Sequence, residues 1–312
     1  MTRVQDHASF ELRIAPYRSE LVAHCYRMLG SVCDAEDVVQ ETYLRAWRAR
    51  ERYDETRSSL RTWMYRIATN ACLTALETRS RRPLPAGFVA ETDPRAPFVR
   101  GEHAWLQPIP DARTVGIDRG TVRLAFVAAL QHLSARQRAA LILRDVLDFS
   151  AAETADIIGS TVTSVNSSLR RARATVTKID PAQVSEPDRS EQRACLERYM
   201  SAFMAADVEG IKRLLAHDVL MEMPPMLNWF TGRENYATFM DWVFEVNGND
   251  WRLEPVGANG QPAFAAYVAR EDGYRLHTLQ VFTMSPEGIR RLSVFQDDDV
   301  FRDFGLTPQL ER

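Results

Sequence analysis

The chain has 312 residues, 45% hydrophobic and 26% charged, with a net charge of -3; that is too long for one typical domain and is an ordinary globular composition. No apolar run approaches the roughly 18 residues of a membrane-spanning helix, and the first ten residues lack a signal-peptide core, so the expectation is a cytoplasmic protein with no membrane contact. Cys25, Cys33, Cys72 and Cys195 form neither a CxxC nor a Cys/His cluster, which leaves buried or half-buried free thiols, no metal site and no cofactor to expect.

The small net charge hides a polarity. Residues 1–82 carry 14 basic and 11 acidic side chains, residues 119–178 carry 9 and 4, and residues 186–312 carry 13 and 21. Two basic segments point to an anionic partner for the front half. The acidic final segment would repel that partner, or cover the basic surfaces in its absence.

In chain order, residues 10–29 have helical spacing of Ile14, Leu21, Val22, Cys25 and Leu29, with Gly30 as a stop. Asp34 is expected to cap a second helix, Asp34 to Arg50. There Val38, Val39, Thr42, Leu44 and Trp47 alternate with Glu36, Asp37, Gln40, Glu41, Arg45 and Arg48. Acids gather in its first turns and Arg in its last, as the helix dipole favours. Ser58 is expected to cap a third helical stretch reaching Arg79.

Residues 83–118 contain Pro83, Pro85, Pro94, Pro97, Pro108 and Pro110 and read as a linker. Phe98, Trp105, Leu106 and Ile109 are unusual for an idle spacer and suggest docking. Helix resumes from Val122 to Leu133 and from Ala135 to Leu147 behind Ser134. Ser150-Ala151-Ala152-Glu153 is a capping box. It opens a short helix to Ile158, a Gly159-Ser160 turn, and a last helix from Thr161 to Lys178. This is a helix-turn-helix, with Ala155 where the helices must approach. Its second helix turns Thr163, Ser164, Asn166, Ser167, Arg170, Arg171 and Arg173 outward, a set suited to phosphates and base edges. The plainer alternative is a helical hairpin with a solvated basic face.

Three segments carry a family resemblance. Asp34-Ala-Glu-Asp-Val-Val-Gln-Glu-Thr-Tyr-Leu-Arg-Ala-Trp47 resembles region 2.2 of sigma-70 family factors, and residues 59–82 resemble regions 2.3 and 2.4. Residues 133–144 and 147–173 resemble region 4. The chain is thus similar to the small extracytoplasmic-function type of RNA polymerase sigma factor. The resemblance implies that Asp37, Gln40, Glu41 and Arg45 bind the clamp helices of the polymerase β′ subunit. It implies that Arg61, Trp63, Arg66, Asn70 and Arg79 serve the minus-10 element, with Trp63 partly core and Asn70 near a flipped base. Thr163, Asn166, Ser167, Arg170, Arg171 and Arg173 would serve the minus-35 element, while region 4 touches the β flap. The family often has basic residues where Asn166 and Ser168 stand, which bears on the promoter sequence preferred. In the family the linker runs through the active-site and RNA-exit channels, which would place Trp105 there. Fully extended, it would reach roughly 100 Å.

Residues 188–312 read as α+β: helices near 190–206 and 208–215, then strands Val219–Met223, Trp251–Val256, Ala263–Ala269, Leu276–Met284 and Ile289–Phe295. Asn247-Gly248, Asn259-Gly260 and Asp272-Gly273 mark turns between them. Met221-Glu-Met-Pro-Pro225, Trp229-Phe-Thr-Gly232 and Asn259-Gly-Gln-Pro262 resemble SnoaL-like members of the NTF2 superfamily, a sheet wrapping a conical pocket. Such tails occur fused to a SigG-like group of sigma factors, although the glycine-rich motif frequent in related tails is absent. Met221, Met223, Trp229, His277, Phe282 and Phe295 are the candidate pocket wall, with a small ligand as candidate occupant. His277, Glu222, Asp297 and Asp241 would be the acid–base groups were the tail an enzyme.

The expected architecture is multidomain. All-α sigma domains occupy residues 1–82 (region 2) and 119–178 (region 4), joined by linker 83–118. After linker 179–187, residues 188–312 form an α+β NTF2-like cone. The expected role is a promoter-specificity subunit without catalysis, partnered by core polymerase and promoter DNA and modulated by intramolecular contacts of the tail. The alternatives are a bifunctional protein with an isomerase or cyclase tail, and a helix-turn-helix regulator that never joins polymerase.

Overall fold

Gly30 and Ser31 divide the first two helices. In the computed structural model, which describes residues 10–78, 81–179 and 186–312, helix α1 (Arg18–Leu29) stops at Gly30 in the left-handed region, φ 71°. Ser31 then caps α2 (Val32–Ala49), its hydroxyl accepting from the Asp34 N–H at 3.3 Å. The cap is therefore Ser31 and not Asp34, because with Gly30 closing α1 only Ser31 remains to be extended. Asp34 lies in the first turn and binds Arg82 at 2.7 Å. Ser59, and not Ser58, caps α3 (Leu60–Glu77), accepting from the Thr62 N–H at 3.0 Å.

Two compact units emerge: Met1–Arg82 with Asp111–Pro181, and Pro83–Pro110 with Ala182–Arg312. In the first, α1, α2 and α3 bury Leu21, Val22, Cys25, Ala35, Val39, Met64, Ala68 and Cys72. Cys25 and Cys72 are buried free thiols, whereas Cys33 is exposed, contrary to expectation, because it falls on the outer face of α2. Trp63 is core, packed on Tyr53 and Phe10 with ring centroids 4.9 and 6.3 Å away.

The rest of this unit is α4 (Leu124–Leu130), α5 (Ala135–Leu141), α6 (Ala151–Ile157) and α7 (Val162–Ile179). Capping boxes open α5 at Ser134/Gln137 and α6 at Ser150/Glu153. A wide π turn, Ile142–Val146, prolongs α5. Gly159, at φ 59°, makes the α6–α7 turn, and Ala155 is buried between the helices. Two buried guanidiniums join the halves. Arg138 reaches the Met28 carbonyl and the Gln131 side chain, and Arg27 donates to the Thr121 carbonyl at 2.8 Å. Burial lowers the pKa of each to about 10, so both stay charged at neutral pH and need these acceptors.

In the second unit α8 (Arg189–Met204), α9 (Val208–Arg213) and α10 (Arg233–Asn247) accompany seven strands: β1 (Leu215–Glu222), β2 (Trp229–Thr231), β3 (Trp251–Ala258), β4 (Gln261–Arg270), β5 (Gly273–Ser285), β6 (Gly288–Phe295) and β7 (Gln309–Leu310). A short α11 (Asp298–Asp303) follows β6. The sheet order is β2-β1-β6-β5-β4-β3, with β7 on β5; only the β1–β6 pair is parallel among the described strands. Asn259 (φ 56°) and Gly260 (φ 67°) form the β3–β4 hairpin turn, as the Asn-Gly pair predicts. One sheet face carries Met221, Phe264, Phe282 and Leu292 into an apolar core with Tyr199 and Phe203 of α8 and Phe239 and Phe244 of α10. Among the described residues no helix is long and apolar enough to cross a membrane.

His24 provides a pH test of the first unit. It is fully buried, bonded to the Thr69 hydroxyl at 2.9 Å, and edge-on to Tyr65. Burial, then Arg27 and Arg61, lowers its pKa to about 3. The unfolded chain thus binds a proton that the folded one refuses between pH ~6.5 and that value. Stability from this group is complete above pH ~6.5 and falls by about 1.4 kcal/mol per pH unit below it. Denaturant titrations from pH 7 to 4 should show stability falling at least that steeply, and His24→Gln, which keeps a donor toward Thr69, should make the fall shallower by that amount.

Candidate polymerase and promoter interfaces

Helix α2 buries Val32, Ala35, Val39, Thr42 and Ala46 and turns its other side outward. Asp37, Gln40 and Arg45 are exposed and Glu41 is half-buried. Glu41 and Arg45 pair at 2.7 Å across one turn, a spacing that steadies the helix by only a few tenths of a kcal/mol. Two other acids are engaged elsewhere: Asp34 by Arg82, and Glu36 by Arg113. Leu44, assigned to the inner stripe from spacing, is 45% exposed between Gln40, Glu41 and Arg48. The outer face is therefore a charged rim around one apolar side chain, the composition of a protein-docking surface. Spacing could have shown this, since 37, 40, 41, 44 and 48 fall on one helical face.

On α3, Arg66 and Asn70, one turn apart, meet oxygen acceptors of the region 4 helices, while Arg61, at the start of the helix, pairs with Glu20 of α1 at 3.2 Å and also reaches region 4. Arg61 lies over the rings of Phe149 and Tyr65, at 4.7 and 5.1 Å, and its Nη1 is 3.4 Å from the Leu147 carbonyl. Arg66 pairs with Asp156 at 3.2 Å. Asn70 donates to the Ile157 carbonyl at 3.1 Å and to its own helix at Arg66. Trp63 faces inward, away from these side chains. Arg79 lies outside the described residues.

On α7, Thr163, Asn166, Arg170, Arg171 and Arg173 are exposed and Ser167 is half-buried, whereas Ser168 packs inward. Thr161 caps the helix, accepting from the Ser164 N–H. Arg173 differs from its neighbours: Nε and Nη2 grip both oxygens of Asp145 at 2.8 and 2.6 Å. The bidentate pair raises the Arg173 pKa and ties α7 to the π turn.

The region between Pro83 and Pro110 has no regular structure beyond one short 3-10 turn and is bound along the C-terminal unit. Its prolines lack N–H groups, which lowers the number of donors to be met. Several of the remaining groups find partners there. The Thr92 N–H donates to the Trp229 carbonyl at 2.9 Å, Gly101 to Pro225 at 2.9 Å, and the Leu227 N–H to Val99 at 2.7 Å. Asn228 accepts from Val99 N–H at 3.0 Å and donates to the Pro97 carbonyl at 3.2 Å. Asn259 accepts from Ile109 N–H at 2.9 Å through its side chain and returns its own N–H to the Ile109 carbonyl at 2.9 Å. Phe98 stands edge-on to Trp242 of α10, and Trp105, Leu106 and Ile109 are buried. Gly101 is required where it is, because a Cβ there would sit 2.5 Å from the Trp105 ring. The docking suggested by these apolar residues is thus onto the chain's own last domain.

The candidate pocket residues divide between two faces of the sheet. Met221, Met223 and Phe282 lie in the packed core. Trp229 pairs in register with Glu222 on the opposite face, where its indole donates to the Val89 carbonyl at 3.0 Å; Phe295 lies on that face with Leu279 and Val281. His277 stacks edge-on against Trp251, and burial, then Arg270, lowers its pKa to about 4, keeping it neutral. Glu222 is fully buried beside Ser293, at 2.8 Å. Asp297 caps α11 and Asp241 is exposed on α10. Among the described residues no hydrogen bond or ion pair joins any two of these four titratable groups.

Residues 14–82 match the family described as Sigma-70 region 2, residues 123–176 match Sigma-70 region 4, and residues 196–292 match the SnoaL-like domain. Two helical sigma domains ahead of a SnoaL-like α+β domain define a sigma-70-type initiation factor with an added tail. The chain belongs to the extracytoplasmic-function sigma factors. It is 45% identical to the ECF RNA polymerase sigma factor SigG of Mycobacterium tuberculosis, over 96% of this chain and 85% of that one. It is 30% identical to SigJ of the same organism, over 65% of this chain and 61% of that one. The crystal structure of M. tuberculosis SigJ shares the fold at a TM-score of 0.65 and 24% identity, covering 95% of this chain and 99% of that one. Membership makes the protein a regulator that directs RNA polymerase to promoters, and not an enzyme.

Asn228 and Asn259 offer a direct test of the bound Pro83–Pro110 segment. Asn228→Ala with Asn259→Gly removes the two side-chain clamps, while the glycine introduced by the second substitution still adopts the positive φ of the hairpin turn. Each lost hydrogen bond is worth ~1 kcal/mol. Trypsin cleavage after the exposed Arg95 and Arg100 should accelerate by about tenfold if local opening limits it, with the circular-dichroism spectrum unchanged.

Proposed function

We propose that α2 is the polymerase contact, α3 the minus-10 contact and α7 the minus-35 contact of this sigma factor. Asp37, Gln40, Glu41 and Arg45, with Leu44 at their centre, dock on the clamp helices of the β′ subunit, and region 4 meets the β flap. Arg61, Arg66 and Asn70, joined by Arg79, hold and read the opened minus-10 strand, where phosphates take the arginines and an unstacked base takes the amide. Thr163, Asn166, Ser167, Arg170 and Arg171 enter the minus-35 major groove. Arg173 acts through Asp145 to set the pitch of α7. The protein acts in the cytoplasm, where polymerase works.

We further propose that the C-terminal domain modulates initiation by holding the linker. The observation that carries this is the bonding of residues 83–110 along Asn228, Trp229 and Asn259. A linker clamped there is not free to thread a polymerase channel. A small ligand of the C-terminal domain would act by loosening or tightening that clamp. The acidic excess of residues 186–312 supports a second contribution, repulsion of DNA while the clamp holds.

Two measurements test these readings. Asp37→Arg with Glu41→Arg is expected to abolish co-elution with core polymerase while lowering thermal stability only slightly, since Asp37 is exposed and Glu41 makes a single surface pair with Arg45; normal holoenzyme assembly would overturn the α2 assignment. In run-off transcription with core polymerase and genomic promoters, Asn228→Ala/Asn259→Gly should change promoter-directed product severalfold, and identical output would remove the clamp from the mechanism.

A further inference from the structure

The partners of the α3 row share one chemistry. Arg66 meets the Asp156 carboxylate and Asn70 the Ile157 carbonyl at the end of α6, while Arg61 divides between the Glu20 carboxylate of α1, at 3.2 Å, and the Leu147 carbonyl at the end of the π turn. Thr62, one turn from Arg66, lies 3.5 Å from the Glu153 carboxylate. Carboxylates and helix C-terminal carbonyls are anionic or partly negative acceptors, as are phosphate oxygens and the acceptor edges of bases. Phe149, nearly fully buried, meets Tyr65 edge-on at 5.2 Å and lies beneath the Arg61 guanidinium. It supplies the aromatic face that an unstacked base would otherwise present.

We propose that residues 147–157 are a built-in mimic of single-stranded DNA that occupies the strand-binding row of α3 in the free protein. DNA and the first helix of the helix-turn-helix then compete for the same donors, so the minus-10 row becomes available only when region 4 is drawn away. The row on α7 stays exposed in the same state. Double-stranded minus-35 DNA can therefore be engaged before the minus-10 strand is. The contacts that close the row are mostly half-exposed, with the Arg66 and Asp156 side chains 39% and 57% accessible. Such contacts are individually weak, which suits a mask that must yield to polymerase and promoter. The proposal rests on the reading of α3 as the strand-binding face.

The test uses the full chain and a fluorescein-labelled, mixed-sequence single-stranded DNA oligonucleotide, with affinity read by anisotropy. Glu153→Gln with Asp156→Asn removes the competing charges, and glutamine in place of Glu153 still completes the capping box. Its Kd should fall by about tenfold relative to the unsubstituted chain, the factor set by ~1.4 kcal/mol. Adding Arg66→Ala should abolish that gain. Glu51→Gln with Glu55→Gln makes the same change in net charge at exposed positions away from the row and should leave Kd unaltered. An unchanged Kd in the first variant, or an equal gain in the control, overturns the mimic. Run-off transcription by Arg66→Ala then separates the two failures. If transcription is lost, α3 remains the strand-binding face and only the masking is wrong; if it is unaffected, the α3 assignment is wrong as well.

Discussion

A backbone that makes neither helix nor strand must still place its N–H and C=O groups, and burial makes that obligation strict. Residues 83–110 meet it by borrowing acceptors and donors from the C-terminal domain, chiefly Asn228, Trp229 and Asn259. Each end of an Asn side chain can serve a different backbone group, which is why Asn228 joins both a donor and an acceptor of the same strand-like segment. Asn259 combines this with a positive φ that only a few residue types tolerate, so one side chain closes a hairpin and clamps the linker. The linker is consequently part of the C-terminal domain's structure, and whatever moves one must rebuild the hydrogen bonding of the other.

Charge follows the same logic on the helical side. Cations on α3 have to be neutralised when the protein is alone: Arg61 pairs with Glu20 of α1, and Arg66 with Asp156 of α6. Asp145 and Arg173 show the complementary case. There the pair is bidentate and internal to region 4, so it shapes a DNA-reading helix without depending on DNA. Arg66, by contrast, holds Asp156 through a single contact at 3.2 Å.

Much of this is readable in the amino-acid order. The α2 helix, the Ser150/Glu153 capping box, the Gly159 turn and the Asn259-Gly260 hairpin are local devices, fixed by residues within four positions of each other. Caps at Ser31 and Ser59 fall a few residues or fewer from their expected places because neighbouring polar residues compete for the same role. Helix Arg233–Asn247 is missing from the expected elements although Tyr236, Phe239, Met240, Val243 and Phe244 recur at helical spacing; the strand-like signals on either side dominate the reading of that segment. The short edge strand Trp229–Thr231 carries too few residues for any period to show. The linker's destination is not legible, because it depends on Asn228 and Asn259, both more than a hundred positions away. The opposite sheet faces of Trp229 and Phe282 likewise follow from register, which no single strand reveals.

The aromatic core of the C-terminal domain bears on what its polar groups are free to do. Tyr199, Phe203, Phe264 and Phe282 stack with centroids 5.0 to 6.2 Å apart, and the Tyr199 and Tyr236 hydroxyls satisfy each other. Burial holds both phenols protonated, well above their ordinary pKa. Two phenols that are paired with each other are not available to aim at a substrate. The same fold directs other polar groups toward the linker, at Asn228, Asn259 and the buried Glu222, where the Ala86 N–H lies 3.5 Å from the carboxylate. These polar groups are engaged by a peptide of the same chain, so the hydrogen bonds that hold the linker and those that complete the domain belong to one network.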